Sequence, residues 1–189
     1  PPMKSCRREN NVDAKTVVDF WMLAGEERWF TKDAAFDGQL SVRFGEALKL
    51  ARLGVFDHWA ETPQGALGLI ILLDQVSRNI HRGSPLAFAG DAKALSLAKM
   101  AVSRGYHQKL VAPLAMWLLM PFEHAEDLDA QHRCVALFGT LGLHDMVYYA
   151  QMHLDIIARF GRFPHRNRVL GRSSTAEEIA FLQAGGFAG

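Results

Sequence analysis

Thr62-Pro63-Gln64-Gly65-Ala66-Leu67-Gly68-Leu69-Ile70-Ile71-Leu72-Leu73-Asp74-Gln75-Val76-Ser77-Arg78-Asn79 decides the fold class. Thr62 followed by Pro63 is an N-cap with proline at the first helical position. Leu67, Ile70, Ile71 and Leu73 then recur at helical spacing, so the stretch reads as a helix that stops near Asn79. Asp74 falls one turn beyond Ile70 and Ile71, on the apolar face, where a carboxylate needs a partner. Arg78 at i+4 is well placed to supply it, and Arg82 continues the line, which predicts one charged seam of Asp74, Arg78 and Arg82.

The same three- and four-residue spacing recurs along the chain, and two-residue alternation is scarce, so the fold is expected to be all-α. Asp13 caps a helix through Val17, Val18, Trp21 and Met22, interrupted at Gly25. A second helix spans about 33–53. Gly83-Ser84-Pro85 marks a loop, Leu86 to Arg104 a helix closed by Gly105, and Lys109 to Leu119 a short apolar helix broken by Pro121. Glu126, Asp127 and Asp129 open the next helix, which ends at Gly142, and Asp145 to Arg159 forms another. Ser174-Thr175 with Glu177 and Glu178 signals a capping box before a last short helix. These amount to seven or eight helices, in one domain over 13–184, between a tail at 1–12 and another at 185–189.

With 189 residues, 49% hydrophobic and 22% charged, the chain has the composition of an ordinary soluble protein. A formal net charge of +1 argues against a broadly basic nucleic-acid binder, so any anion site must be local. The apolar runs Ala66 to Leu73 and Val111 to Phe122 fall short of the roughly 18 residues a membrane span requires. Lys4, Arg7 and Arg8 have no apolar stretch behind them, which speaks against a signal peptide, and Cys6 and Cys134 suggest no disulfide framework. The expectation is a cytoplasmic protein with no membrane and no nucleic-acid partner.

Two segments concentrate chemistry. Arg159 to Arg172 contains Arg159, Arg162, Arg166, Arg168 and Arg172 but no acid. Gly161 and Gly171 permit tight turns there, and Pro164 pushes Phe163 towards an extended conformation. Its guanidiniums suit carboxylate or phosphate, or else they pair with Asp74, Glu123, Glu126 or Asp127 and fasten the C-terminal part of the chain. Pro121 to Asp127 gathers Glu123, His124, Glu126 and Asp127; these acids belong in a first helical turn, yet His124 and Glu126 form the best acid-base pair by sequence. His153 lies on an apolar stripe, where a histidine is usually a satisfied core residue. No glycine-rich phosphate loop, nucleophile elbow or Cys-x-x-Cys motif is present, and no metal or other cofactor is expected.

Phe20-Trp21, Trp29-Phe30, Phe36-Asp37, Leu73-Asp74-Gln75 with Arg78-Asn79 and Arg82-Gly83, Phe88 with Asp91, Pro121 to Glu126, His153, and Arg159 through Asn167 with Leu170-Gly171-Arg172 together resemble an uncharacterised, largely bacterial family known as domain of unknown function 924. Ala125 and Val76-Ser77 depart from its pattern, which puts a serine nucleophile at position 125 out of reach. The resemblance implies a tetratricopeptide-like, right-handed stack of helical hairpins and carries no activity with it. From the residues, the expected function is a polar pocket of Asp74, Gln75, Arg78, Asn79, Arg82, His153, Arg162, His165, Arg166 and Asn167 that binds a small anion or an acidic peptide end. The alternatives are a hydrolase or lyase acting on a negatively charged molecule, with His124 and Glu126 as acid and base, and a charged network that only satisfies itself.

Overall fold

In the computed structural model, which describes residues 12–187, the Thr62 stretch forms the central helical rod. Helices α1 (Ala14–Ala24), α2 (Glu26–Trp29) and α3 (Ala34–Arg52) precede it. The rod itself is α4 (Pro63–Ile70), a π turn (Ile71–Val76) and α5 (Ser77–Ile80). Then follow α6 (Asp91–Ser103), α7 (Tyr106–Lys109), α8 (Ala112–Glu123), α9 (Leu128–Thr140), α10 (His144–Phe160) and α11 (Ala176–Gln183). The described residues are helical with no strand, and the eleven α-helical segments exceed the expected seven or eight. The surplus comes from α2, α5 and α7, each a single turn too short to leave an apolar period in the sequence.

Every residue from Gly65 to Val76 is buried, because α1, α3, α6 and α8 pack around the rod. Two glycines let these neighbours in. A Cβ on Gly68 would lie 2.7 Å from the Ala14 carbonyl oxygen, and one on Gly90 would lie 2.3 Å from the Leu73 carbonyl oxygen. Asp13 and Thr62 cap their helices as expected, and Asp33 and Asp127 prove to be caps as well: each of the four side chains accepts a backbone N–H from the first turn of its helix. Thr175 and Glu178 close a reciprocal capping box. Gly161, left-handed at φ 69°, ends α10 as its position suggests.

Two boundaries differ from expectation. The helix predicted from Leu86 begins only at Asp91, after a 3-10 turn at Pro85–Phe88, because Gly90 is pressed against the central rod. Pro121 does not break α8, which continues to Glu123. Proline there removes one backbone donor, and beyond it the free carbonyls of the helix end are met by Gln131 of α9, whose Nε2 donates to the Glu123 carbonyl at 2.7 Å and the Ala125 carbonyl at 2.8 Å. Residues 1–11 of the expected N-terminal tail lie outside the described residues. At the other end, Phe187 packs its ring on His153 and His165, with centroids 4.6 and 5.4 Å apart. Among the described residues no helix is long and apolar enough to cross a membrane.

Gly68→Ala is expected to destabilise the protein by about 1–3 kcal/mol, since α1 must shift to admit the methyl group. Gly38→Ala, on the exposed side of α3 with nothing within 4 Å of its Cβ, is expected to stabilise by about 0.5–1 kcal/mol. Urea denaturation of both variants checks the opposite signs.

Candidate functional site

The π turn sets the site. In the π turn at Ile71–Val76, Asp74 is wholly buried with its carboxylate facing His124 at the end of α8. Arg78 Nη1 donates both to this carboxylate and to the Asp74 backbone carbonyl, at 2.9 Å to Oδ1 and 2.9 Å to the carbonyl. Gln75 Nε2 donates to Oδ2 at 2.6 Å, and His124 Nδ1 lies 2.9 and 2.8 Å from the two carboxylate oxygens. Burial alone pushes the Asp74 carboxyl up, but Arg78 and His124 outweigh it and hold the group below the usual carboxylate range. Burial and the Arg78 charge keep His124 low in turn. His124 Nδ1 faces Asp74 as a donor, which leaves Nε2 as the ring nitrogen outside that pair.

A second layer extends from Arg78, which also grips Asp91 at the start of α6 through two parallel bonds of 2.9 Å. Arg166 approaches the same carboxylate, with Nη1 3.7 Å from Asp91 Oδ2 and 3.0 Å from the His124 carbonyl. Its guanidinium lies between the rings of Phe88 and Phe163, 4.9 and 4.4 Å from their centroids. Arg166 Nε is buried without a partner among the described residues. Burial and the neighbouring Arg78 charge pull this guanidinium down to about 10, so it remains a cation at neutral pH. Phe163 comes from the extended residue before Pro164, as the proline predicts.

The other predicted residues separate from this centre. Glu126 does not pair with His124: it accepts the Phe163 N–H at 2.8 Å and two bonds from Arg172 at 2.6 and 2.9 Å. In place of the acid-base pair expected from adjacency, His124 meets Asp74, fifty residues away in sequence, while Glu126 is taken by Arg172. Arg162 holds Glu178 through bonds of 2.7 and 2.9 Å, and Asn167 links Glu178 to Arg172. Arg82 leaves the predicted seam for Asp37, which Asn79 also meets, because the rod ends at Ile80 before reaching it. Gln75 stays on Asp74. These contacts fasten loops and helices and present no unpaired charge.

His153 and His165 flank Phe163, 5.5 and 5.6 Å from its ring. His153 Nδ1 is bound to the Tyr149 carbonyl at 2.8 Å, a satisfied core histidine. Glu123 is the residue whose place adjacency least reveals. It is 4% exposed, its Oε1 is 3.6 Å from His153 Nδ1, and its Oε2 has no partner among the described residues. Asp91 was legible only as part of the family resemblance, because a helix starting at Leu86 would place it in the interior with no assigned partner, whereas it opens α6. Among the described residues no group of three or more His, Cys, Asp or Glu side chains is arranged to hold a metal ion.

Removing one member of a buried pair leaves the other charge unmatched, so Asp74→Asn is expected to cost on the order of 3–5 kcal/mol. Arg82→Ala, at a part-exposed pair, is expected to cost about 1 kcal/mol or less. Urea midpoints at neutral pH compare the two. The histidines give a pH signature. Burial holds His153 and His165 down at about 4, so between about 6.5 and 4 the unfolded chain binds protons that the native chain refuses. Stability should therefore fall as pH drops through that window, and His153→Gln should flatten part of the decline.

The chain's likeness to other proteins agrees with this geometry without adding an activity. A solved structure of a protein of unknown function, ATU0120 from Agrobacterium tumefaciens, is 43% identical, with a TM-score of 0.86 over 91% of this chain and 97% of that one. No curated protein matches the chain significantly. The family model described as bacterial protein of unknown function matches residues 17–186, a span that takes in Asp74, His124 and Arg166 alike. The chain belongs to that bacterial family of unknown function, DUF924.

Proposed function

We propose that the protein binds a small oxyanion, free or as the carboxylate end of an acidic peptide, at the point where Arg166 meets the Asp74–His124 pair. The observation that carries the reading is Arg166. A guanidinium nine-tenths buried, stacked between two rings, with one short hydrogen bond to a carbonyl and its nearest carboxylate 3.7 Å away, is an incompletely matched cation. Buried charge is retained where a partner completes it. Arg162 and Arg172, by contrast, are matched by Glu178 and Glu126 and leave nothing for a ligand. That internal matching is also why the arginine-rich segment is not read as a nucleic-acid surface. The short turn at Gly142 joining α9 to α10 supports reading part of the fold as a tetratricopeptide-like hairpin, and the scarcity of cysteine supports a cytoplasmic setting.

A second reading rests on His124. An imidazole whose Nδ1 is held by a buried carboxylate is, in its neutral form, the arrangement of a general base, with Nε2 as the accepting atom. In a hydrolase or lyase of a negatively charged molecule, His124 is then the base, Asp74 its positioning residue and Arg166 the anchor of the substrate charge.

Isothermal titration with acetate and with inorganic phosphate tests the first reading. Arg166→Lys should weaken binding by at least about tenfold, because lysine offers no planar fork to stack between Phe88 and Phe163. Arg162→Lys should leave affinity unchanged; equal losses in both variants would count against a site at Arg166. Should a stabilising anion be consumed, and His124→Gln abolish consumption while sparing affinity, the hydrolase or lyase reading prevails.

A further inference from the structure

Asp91 opens α6 with its carboxylate between two guanidiniums. Arg78 takes both oxygens, Nη1 on Oδ1 and Nη2 on Oδ2 at 2.9 Å each, while Arg166 stops with Nη1 3.7 Å from Oδ2, beyond hydrogen-bond length. The Phe88 ring lies against both cations, its centroid 5.6 Å from the Arg78 guanidinium carbon and 4.9 Å from that of Arg166. Among the described residues the one hydrogen bond of Arg166 runs from Nη1 to the His124 carbonyl, which leaves Nε, Nη2 and the second Nη1 hydrogen without an acceptor although the side chain is only 8% exposed. Asp91 has the opposite need. Arg78 occupies two of the roughly four lone-pair positions of its carboxylate, and 22% of its side chain is exposed. Across 3.7 Å, one group thus asks for an acceptor and the other can still take a donor.

Charge narrows what can sit there. Asp74 and Asp91 stand against Arg78 and Arg166, two negative groups against two positive, and burial with the Arg78 charge pulls His124 below its ordinary value, so that at neutral pH it adds no third cation. A bare oxyanion leaves this largely buried centre with an uncompensated negative charge, whereas a ligand that carries its own positive charge leaves the balance unchanged. We propose that the site takes the head group of a free α-amino acid, its carboxylate on Arg166 and its ammonium on Asp91, a ligand class that deepens the binding reading above and rests on it. Covalent geometry sets the ammonium nitrogen of an amino acid and its nearer carboxylate oxygen about 3 Å apart. With one hydrogen-bond length to Arg166 and one to Asp91, those two atoms close a ring with the 3.7 Å pair. Acetate and phosphate, having no cation, meet only the Arg166 side of it and face the Asp91 charge directly.

Isothermal titration of the wild-type protein at neutral pH with glycine, N-acetylglycine, acetate and inorganic phosphate tests the class without any substitution. Glycine should bind at least about tenfold more tightly than the other three, the scale of one short-range charge pair in a protein interior. N-acetylglycine keeps the carboxylate and loses the ammonium, so it should bind no better than acetate. A smaller advantage for glycine over any of the three overturns the amino-acid class. In that event the oxyanion reading survives if acetate or phosphate still binds, and both fall if none of the four does. Asp91→Asn then locates the ammonium, since it keeps the size of the side chain and removes the charge. In a variant whose thermal melt shows the fold retained, the advantage of glycine over acetate should shrink to within about twofold. A merely structural role for Asp91 would weaken the two ligands alike, and a preserved ratio overturns its assignment. Should the variant not fold, the wild-type comparison of glycine with N-acetylglycine decides the question.

Discussion

A charged carboxylate buried in the middle of the central helical rod is the constraint on which the rest depends. Asp74 has no water to solvate it, so its charge survives only because Gln75, Arg78 and His124 all donate to it. Each donor carries an obligation of its own. Arg78 requires Asp91 and so fixes where α6 begins, and His124 requires the C-terminal end of α8 to lie across the rod. Through the His124 carbonyl, the same histidine also receives Arg166 and hence the loop after α10. One buried charge thus ties four distant parts of the sequence to a single point.

Much of the fold is visible in the sequence because helix signals are local. The Asp13 and Thr62 caps, the Thr175–Glu178 box and the terminating Gly161 act within one turn of the residues they satisfy, and all fall where the pattern puts them. The errors arise where a distant element overrides a local rule. Pro121 lies inside α8, whose end beyond it is capped by Gln131 from another helix, and residues 86–90 do not join α6 because Gly90 is held against Leu73.

The site was legible in its residue types and less so in its pairings. Asp74 with Arg78 follows from i, i+4 geometry and needs no tertiary knowledge. His124 with Asp74 spans fifty residues and depends on how α8 crosses the rod, which no spacing encodes. Adjacency instead favoured Glu126, whose true partner is Arg172. The arginine-rich segment likewise looked uniform in sequence and is divided by the structure: Arg162 and Arg172 find full carboxylate partners, whereas Arg166 ends between two phenyl rings. A run of like residues says nothing of which members a fold will neutralise.

The π turn has a meaning for how such a site originates. It is equivalent to one residue inserted into an otherwise regular helix, with the surplus absorbed between Ile71 and Val76. Removing any single residue there would return the rod to α geometry and turn Ser77–Ile80 by about 100° relative to Pro63–Ile70. Arg78 would swing away from Asp91, Ser77 would lose the Leu86 and Ala87 carbonyls it now reaches, and both apolar flanks would still pack as helix. The charged centre is therefore a matter of register: the same amino acids, one fewer in number, would make a comparable core with no site inside it.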